Sequence, residues 1–188
     1  MALARAGIPA QRTREPGGSA GAEAIRRLLL DGADERWDAV GEALLFYAAR
    51  RDHVAGLIKP ALDQGSWVVC DRFADSTLAY QGYGRGLPFV ELQALHRFVL
   101  GDFTPDLTLI LDLPVEEGLA RVARRSGNAD RFERLGQAFH ERLREGFHQI
   151  AAAEPRRCVL IDASGDAASV HRAVLAAVAE RLGVALDG

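Results

Sequence analysis

Four short β-rich runs punctuate the chain: IPAQRTR (8–14), SWVVCD (66–71), DLTLILD (106–112) and RCVLID (157–162). Each predicts a strand. Between them the apolar positions recur at helical spacing. A helix over 19–32 opens on Ser19 and closes on Gly32. A long amphipathic helix over 35–63 carries Leu44, Leu45, Tyr47 and Ala48, and another covers 89–100. The helix at 115–125 follows Pro114 and holds Glu116 and Glu117 in its first turn, where they complement the helix dipole. Helices over 131–153 and 166–183 complete the pattern. Strands that alternate with helices and read as near-continuous apolar runs predict an α/β fold, a parallel sheet covered by helices on both faces.

Every predicted strand stops on charge: Arg14 and Glu15, Asp71 and Arg72, Asp112, Asp162. The carboxyl ends of parallel strands share one edge, and open α/β sheets bind ligands there. Asp112 and Asp162 alone read as ordinary strand exits. Asp71 and Arg72 read as functional, because the small, polar, glycine-rich stretch ADSTLAYQGYGRG follows them.

The 188 residues suit a single domain over 1–188. A net charge of −3 argues against a nucleic-acid surface. Cys70 and Cys158 lie in apolar runs and read as core residues. No apolar run approaches membrane-spanning length and the first residues lack a signal-peptide pattern, so a cytoplasmic protein without membrane partners is expected. Lys59 is the sole lysine, so arginines carry meaning only by position.

Three constellations have such position. Phe46 and Arg50, four apart on one helix face, can stack a base and donate to its edge. Ser76 with Tyr80, and Thr77 with Gln81, repeat that spacing directly after Arg72. Arg121, Arg124 and Arg125 precede a Ser-Gly-Asn turn and then Arg131, a pattern suited either to a solvated helix face or to a lid over 121–133 that clamps phosphates.

Together, TREPGG (13–18), LLFYAAR (44–50), IKPAL (58–62), DRFADSTLAYQG (71–82), GRG (84–86), PDLTLILDLP (105–114) and DRFE (130–133) resemble the thymidylate kinase family across essentially the whole chain. The resemblance implies a P-loop nucleoside monophosphate kinase fold, with ATP, Mg²⁺ and dTMP as cofactors and substrate. It implies that Phe46 stacks on thymine, Arg50 donates to O4, and Thr77 and Gln81 meet the remaining base edge. Tyr80 would pack near the deoxyribose, with Ser76 beside it. Arg72 would hold the dTMP phosphate, closed in by Arg14 and the Pro16-Gly17-Gly18 turn, and Glu15 is also expected among the substrate-binding residues. Asp71 would orient the Mg²⁺ shell through water. Arg121, Arg125 and Arg131 would neutralise the transferring phosphoryl group. An adenine site near the lid and residues 163–166, and a homodimer through helices around 36–50 and 89–100, are also implied.

The sequence departs from the family pattern at its start. It contains no Gly-Lys-Ser or Gly-Lys-Thr phosphate loop, so the ATP-phosphate ligands are unknown. MALARAG reads as the last turns of the helix that follows such a loop. A first central strand, expected between 66–71 and 106–112, reads as missing. Three functions remain open at this point: a thymidylate kinase whose loop lies upstream, a non-catalytic dTMP-binding protein, and a kinase for another monophosphate.

Overall fold

A computed structural model describes residues 2–33, 36–124 and 131–186. A short helix α1 (Ala2–Arg5) leads into β1 (Ala10–Arg14) and α2 (Ala20–Leu30). Helix α3 (Ala39–His53) starts at Asp38, whose carboxylate accepts the Gly41 N–H at 2.7 Å. The predicted 35–63 helix is not uniform. A π-helical stretch, Val54–Ile58, separates α3 from α4 (Lys59–Asp63). Pro60 has no N–H to offer the Gly56 carbonyl, and the rod widens ahead of it so that Lys59 N–H bonds Val54 O instead.

The chain continues through β2 (Trp67–Asp71), α5 (Ala74–Thr77), a second π-helical stretch (Leu78–Gly84) and α6 (Phe89–Leu100). Then come β3 (Thr108–Asp112), α7 (Val115–Arg124), α8 (Gln137–Ala153), β4 (Cys158–Asp162) and α9 (Ala167–Leu182). Residues 131–136, expected to open a helix, form a turn instead, and α8 begins only after Gly136.

All four described strands are parallel to their partners, but they form two pairs rather than one sheet. Strand β1 pairs with β2, from Ala10 opposite Trp67 to Arg14 opposite Asp71. Strand β3 pairs with β4, from Thr108 opposite Cys158 to Asp112 opposite Asp162. Each pair has its own core. Val54, Ile58, Phe73, Ala74 and Leu100 pack beside the first, and Ala79, Ile110, Phe139, Leu143 and Ile150 beside the second. Helix α8 lies close on the second π-helical stretch because Gly146 has no side chain: a Cβ there would stand 2.6 Å from the Tyr83 ring.

One polar clamp links the two pairs. Arg157, just before β4, donates to both oxygens of buried Asp75 at 2.7 Å each, and Thr108 on β3 donates to the same carboxylate at 2.9 Å. Burying that acid is tolerable because its lone pairs are filled. Among the described residues no helix is long and apolar enough to cross a membrane.

Candidate active site

A cavity of about 300 Å³ opens at the carboxyl ends of β1 and β2. Arg14, Glu15, Phe46, Arg50, Asp71, Arg72, Ser76, Thr77, Tyr80 and Gln81 all line it. Strand ends, one face of α3, and α5 with its π-helical extension thus converge, as the sequence pattern suggested. The π-helical stretch carries Tyr80 and Gln81, and such widened turns recur at functional sites.

The wall is built on buried acids. Glu15 is 5% exposed and takes Arg50 Nε at 2.7 Å on one oxygen and His53 Nδ1 at 3.1 Å on the other. His53 Nε2 continues to the Thr13 hydroxyl at 2.8 Å. Gly18 makes room for this chain, since a Cβ there would lie 2.4 Å from His53 Nε2. Arg50 Nη2 donates to Thr77 Oγ1 at 3.1 Å, and the guanidinium lies 4.7 Å from the Tyr47 ring centre. On the other side, Gln81 Nε2 donates to Glu42 at 2.9 Å.

Three buried polar atoms of cavity-lining residues have no partner among the described residues: Arg50 Nη1, a donor, Gln81 Oε1, an acceptor, and His140 Nε2. Their residues line the cavity, and burying a polar atom unpaired costs about 1–3 kcal/mol. Groups of this kind are what a ligand satisfies.

Phe46 and Tyr80 supply flat surface. Both rings meet Phe132, at 5.8 and 5.6 Å between centroids. Arg72 stands 5.1 Å over the Tyr80 ring. Its φ of +67° is a region that non-glycine residues rarely occupy, and such strain concentrates at functional positions. Arg14 is half-exposed at the rim, with Nη2 on Glu23 at 3.0 Å. Burial lowers the His96 pKa, assisted by the Arg50 cation, and burial raises the Tyr47 pKa beside it. Burial likewise pushes the Cys70 thiol far above its usual range, although Cys70 is only partly buried rather than the core residue expected, whereas Cys158 is buried.

Of the arginines expected to clamp phosphate, Arg121 and Arg131 are not among the residues lining this cavity. Arg121 donates to Ser164 O at 3.3 Å, away from the cavity. Arg125 lies outside the described residues. Arg131 differs from the expectation of a phosphate-clamping lid residue: it is fully buried, with Nη2 2.8 Å from Glu42 and Nε on Leu29 O at 3.1 Å. Sequence reasoning missed Arg26, Glu42, Phe132 and His140, of which Arg26, Phe132 and His140 line the cavity. For Glu42 a signal existed. It stands eight residues before Arg50, about two helical turns, and so shares its face. A second, more open hollow of about 380 Å³ lies between α7 and α8. Its Arg144 and His148 side chains both bond Asp112, at 2.7 and 2.9 Å, and these bonds, Arg144's first, hold that carboxyl well below its usual range.

The model of the thymidylate kinase family matches residues 1–174. The chain belongs to that family. It is 57% identical over 172 residues to a thymidylate kinase of Caulobacter vibrioides, covering 92% of this chain and 82% of that one. A thymidylate kinase of Bradyrhizobium sp. strain ORS 278 is 56% identical over 183 residues, covering 96% and 80%. The crystal structure of thymidylate kinase from Ehrlichia chaffeensis superposes with a TM-score of 0.69 at 36% identity, covering 90% of this chain and 79% of that chain.

Proposed function

We propose that this cavity receives dTMP for ATP-dependent phosphorylation to dTDP. The observation that carries the reading is the orphan pair Arg50 Nη1 and Gln81 Oε1. A thymine edge offers the O4 acceptor and the N3–H donor, the complement of that donor and acceptor. Cytosine offers an amino donor and an N3 acceptor, so both contacts would be reversed. Phe46 gives the base a stacking surface, and Tyr80 borders the sugar, with Ser76 beside it. Arg72 and Arg14 hold the monophosphate at the mouth, where guanidinium forks match phosphate oxygens. The chain's own contribution to catalysis is then positioning: a dTMP fixed at base and phosphate presents one phosphate oxygen in one direction.

Asp71 is exposed at the end of β2, and no cluster of three metal-ligating side chains occurs among the described residues. A lone carboxylate fits Mg²⁺ held mainly by water and phosphate oxygens. The ion would supply charge neutralisation between the two nucleotides. The ATP phosphates do not find a matching cradle in these residues. The single lysine stands 5.7 Å over the Phe103 ring, and no Gly-Lys-Ser/Thr occurs.

We further infer that the two strand pairs are halves of one sheet with a fifth parallel strand between β2 and β3. Supporting this, each of those strands pairs on one side only among the described residues, and Val69 and Leu111 are 50% and 56% exposed. Slow amide exchange along both inner edges of this chain would count against it. The paired stripes Val40–Leu44 on α3 and Val90–Phe98 on α6 suit a homodimer, with Phe98 89% exposed. Phe98→Glu should then give a monomer in sedimentation.

The deciding experiment is calorimetric titration of the 188-residue chain with dTMP, dUMP, dCMP and inorganic phosphate. Tight dTMP binding with dCMP at least about tenfold weaker is expected. Equal affinity for dTMP and dCMP would sink the assignment.

A further inference from the structure

We infer that Glu42 is a positioning residue that sets base selectivity by locking the Gln81 amide in one of its two orientations. The inference rests on the dTMP reading above and adds a residue that touches no part of the ligand.

Glu42 is fully buried on α3. One oxygen accepts Gln81 Nε2 at 2.9 Å. The other accepts Arg85 Nη2 at 2.9 Å and lies 2.8 Å from Arg131 Nη2. The carboxylate therefore faces three nitrogen donors, two of them guanidinium groups that can only donate, and its oxygens serve as acceptors. A glutamine side chain has two nearly isosteric orientations, with nitrogen and oxygen exchanged. Facing Glu42, only one of them is bonded; the other sets amide oxygen against carboxylate oxygen. The acid thereby directs the amide oxygen, Oε1, away from itself and leaves it without a partner among the described residues.

The same logic holds Arg50. Glu15 takes its Nε, Thr77 takes its Nη2, and Nη1 remains for the cavity. Each base-reading atom is thus aimed by a buried acid behind it. For Gln81 the consequence is sharper, because an arginine is a donor in any orientation, whereas a released glutamine could present either sign. Without Glu42 the cavity could offer an N–H to a cytosine N3 in place of an oxygen to a thymine N3–H.

Calorimetric titration of the intact chain and Glu42→Gln with dTMP and dCMP tests this. The expected result is a fall in the dCMP/dTMP ratio of dissociation constants by about tenfold, one hydrogen bond's worth of discrimination. Gln81→Ala should lower the ratio comparably, and the double variant should lower it no further, because both changes remove one and the same contact. Glu42→Asp, which keeps an acceptor-only group, should restore much of the ratio. A merely structural Glu42 would weaken both nucleotides together with the ratio unchanged, and that result overturns the inference. If Glu42→Gln does not fold, Glu42→Met/Arg131→Met removes both buried charges at once, a replacement that proteins tolerate. The ratio test then applies to it unchanged. Failure of the underlying reading is separate, since it would appear in the unmodified chain as no preference for dTMP.

Discussion

Replacing Arg50 by lysine separates two tasks of one guanidinium. Its Nε bonds Glu15 at 2.7 Å, its Nη2 bonds Thr77 at 3.1 Å, and its Nη1 is buried without a partner among the described residues. A lysine ammonium can remain opposite Glu15 as a compact charge, but it cannot fork towards the cavity as well. The ligand then loses one charge-assisted hydrogen bond, about 1.5–3 kcal/mol, which is about 10- to 150-fold in Kd. Fold stability should change less, because Glu15 keeps a cation. Arg50→Met, which strands that buried carboxylate, should instead cost about 3–5 kcal/mol. Calorimetry with dTMP and dCMP, alongside urea denaturation, reads both quantities. The dTMP affinity of Arg50→Lys should drop within that range while dCMP, whose amino group gains nothing from the guanidinium, changes little. A folded Arg50→Lys that binds dTMP as the unmodified chain does would refute the reasoning, and so would equal losses for both nucleotides.

Phe46→Ala should weaken dTMP by about 1–3 kcal/mol through lost stacking, read in the same titration; an unaltered Kd would remove Phe46 from the site. Arg157→Ala leaves the Asp75 carboxylate, 7% exposed, with the Thr108 hydroxyl in place of a bidentate cation, and should lower unfolding free energy by about 3 kcal/mol. Denaturant midpoints within experimental scatter of each other would contradict that clamp. Burial and the Arg50 cation depress the His96 pKa below 6.5, so the neutral ring's stabilisation is complete above that value and is lost as pH falls through the depressed one. The chain should therefore be less stable at about pH 5 than at about pH 7.5, and His96→Asn should flatten that slope. Asp112, held below its ordinary 3.8 by Arg144 and His148, contributes stability above that value which disappears at lower pH. Asp112→Asn should make the acid limb of unfolding shallower.

Period and composition determined the elements and the edge on which the site lies. Alternating apolar runs and helical patterns mark a parallel α/β fold, and polar stops at Arg14, Glu15, Asp71 and Arg72 mark its carboxyl edge, because both signals are local consequences of burial. Phe46–Arg50 and Thr77–Gln81 were legible for the same reason: four residues span one helical turn. Pairing across distant segments was not. Whether Arg131 clamps phosphate or sits buried on Glu42 depends on contacts 89 positions apart in the chain, and no spacing encodes which acid a buried cation will meet. The strand pairing, the Asp75–Arg157 clamp and the direction of the Gln81 amide are likewise set only when separate elements exclude water together, since the cost of an unpaired buried charge exists only in the packed state.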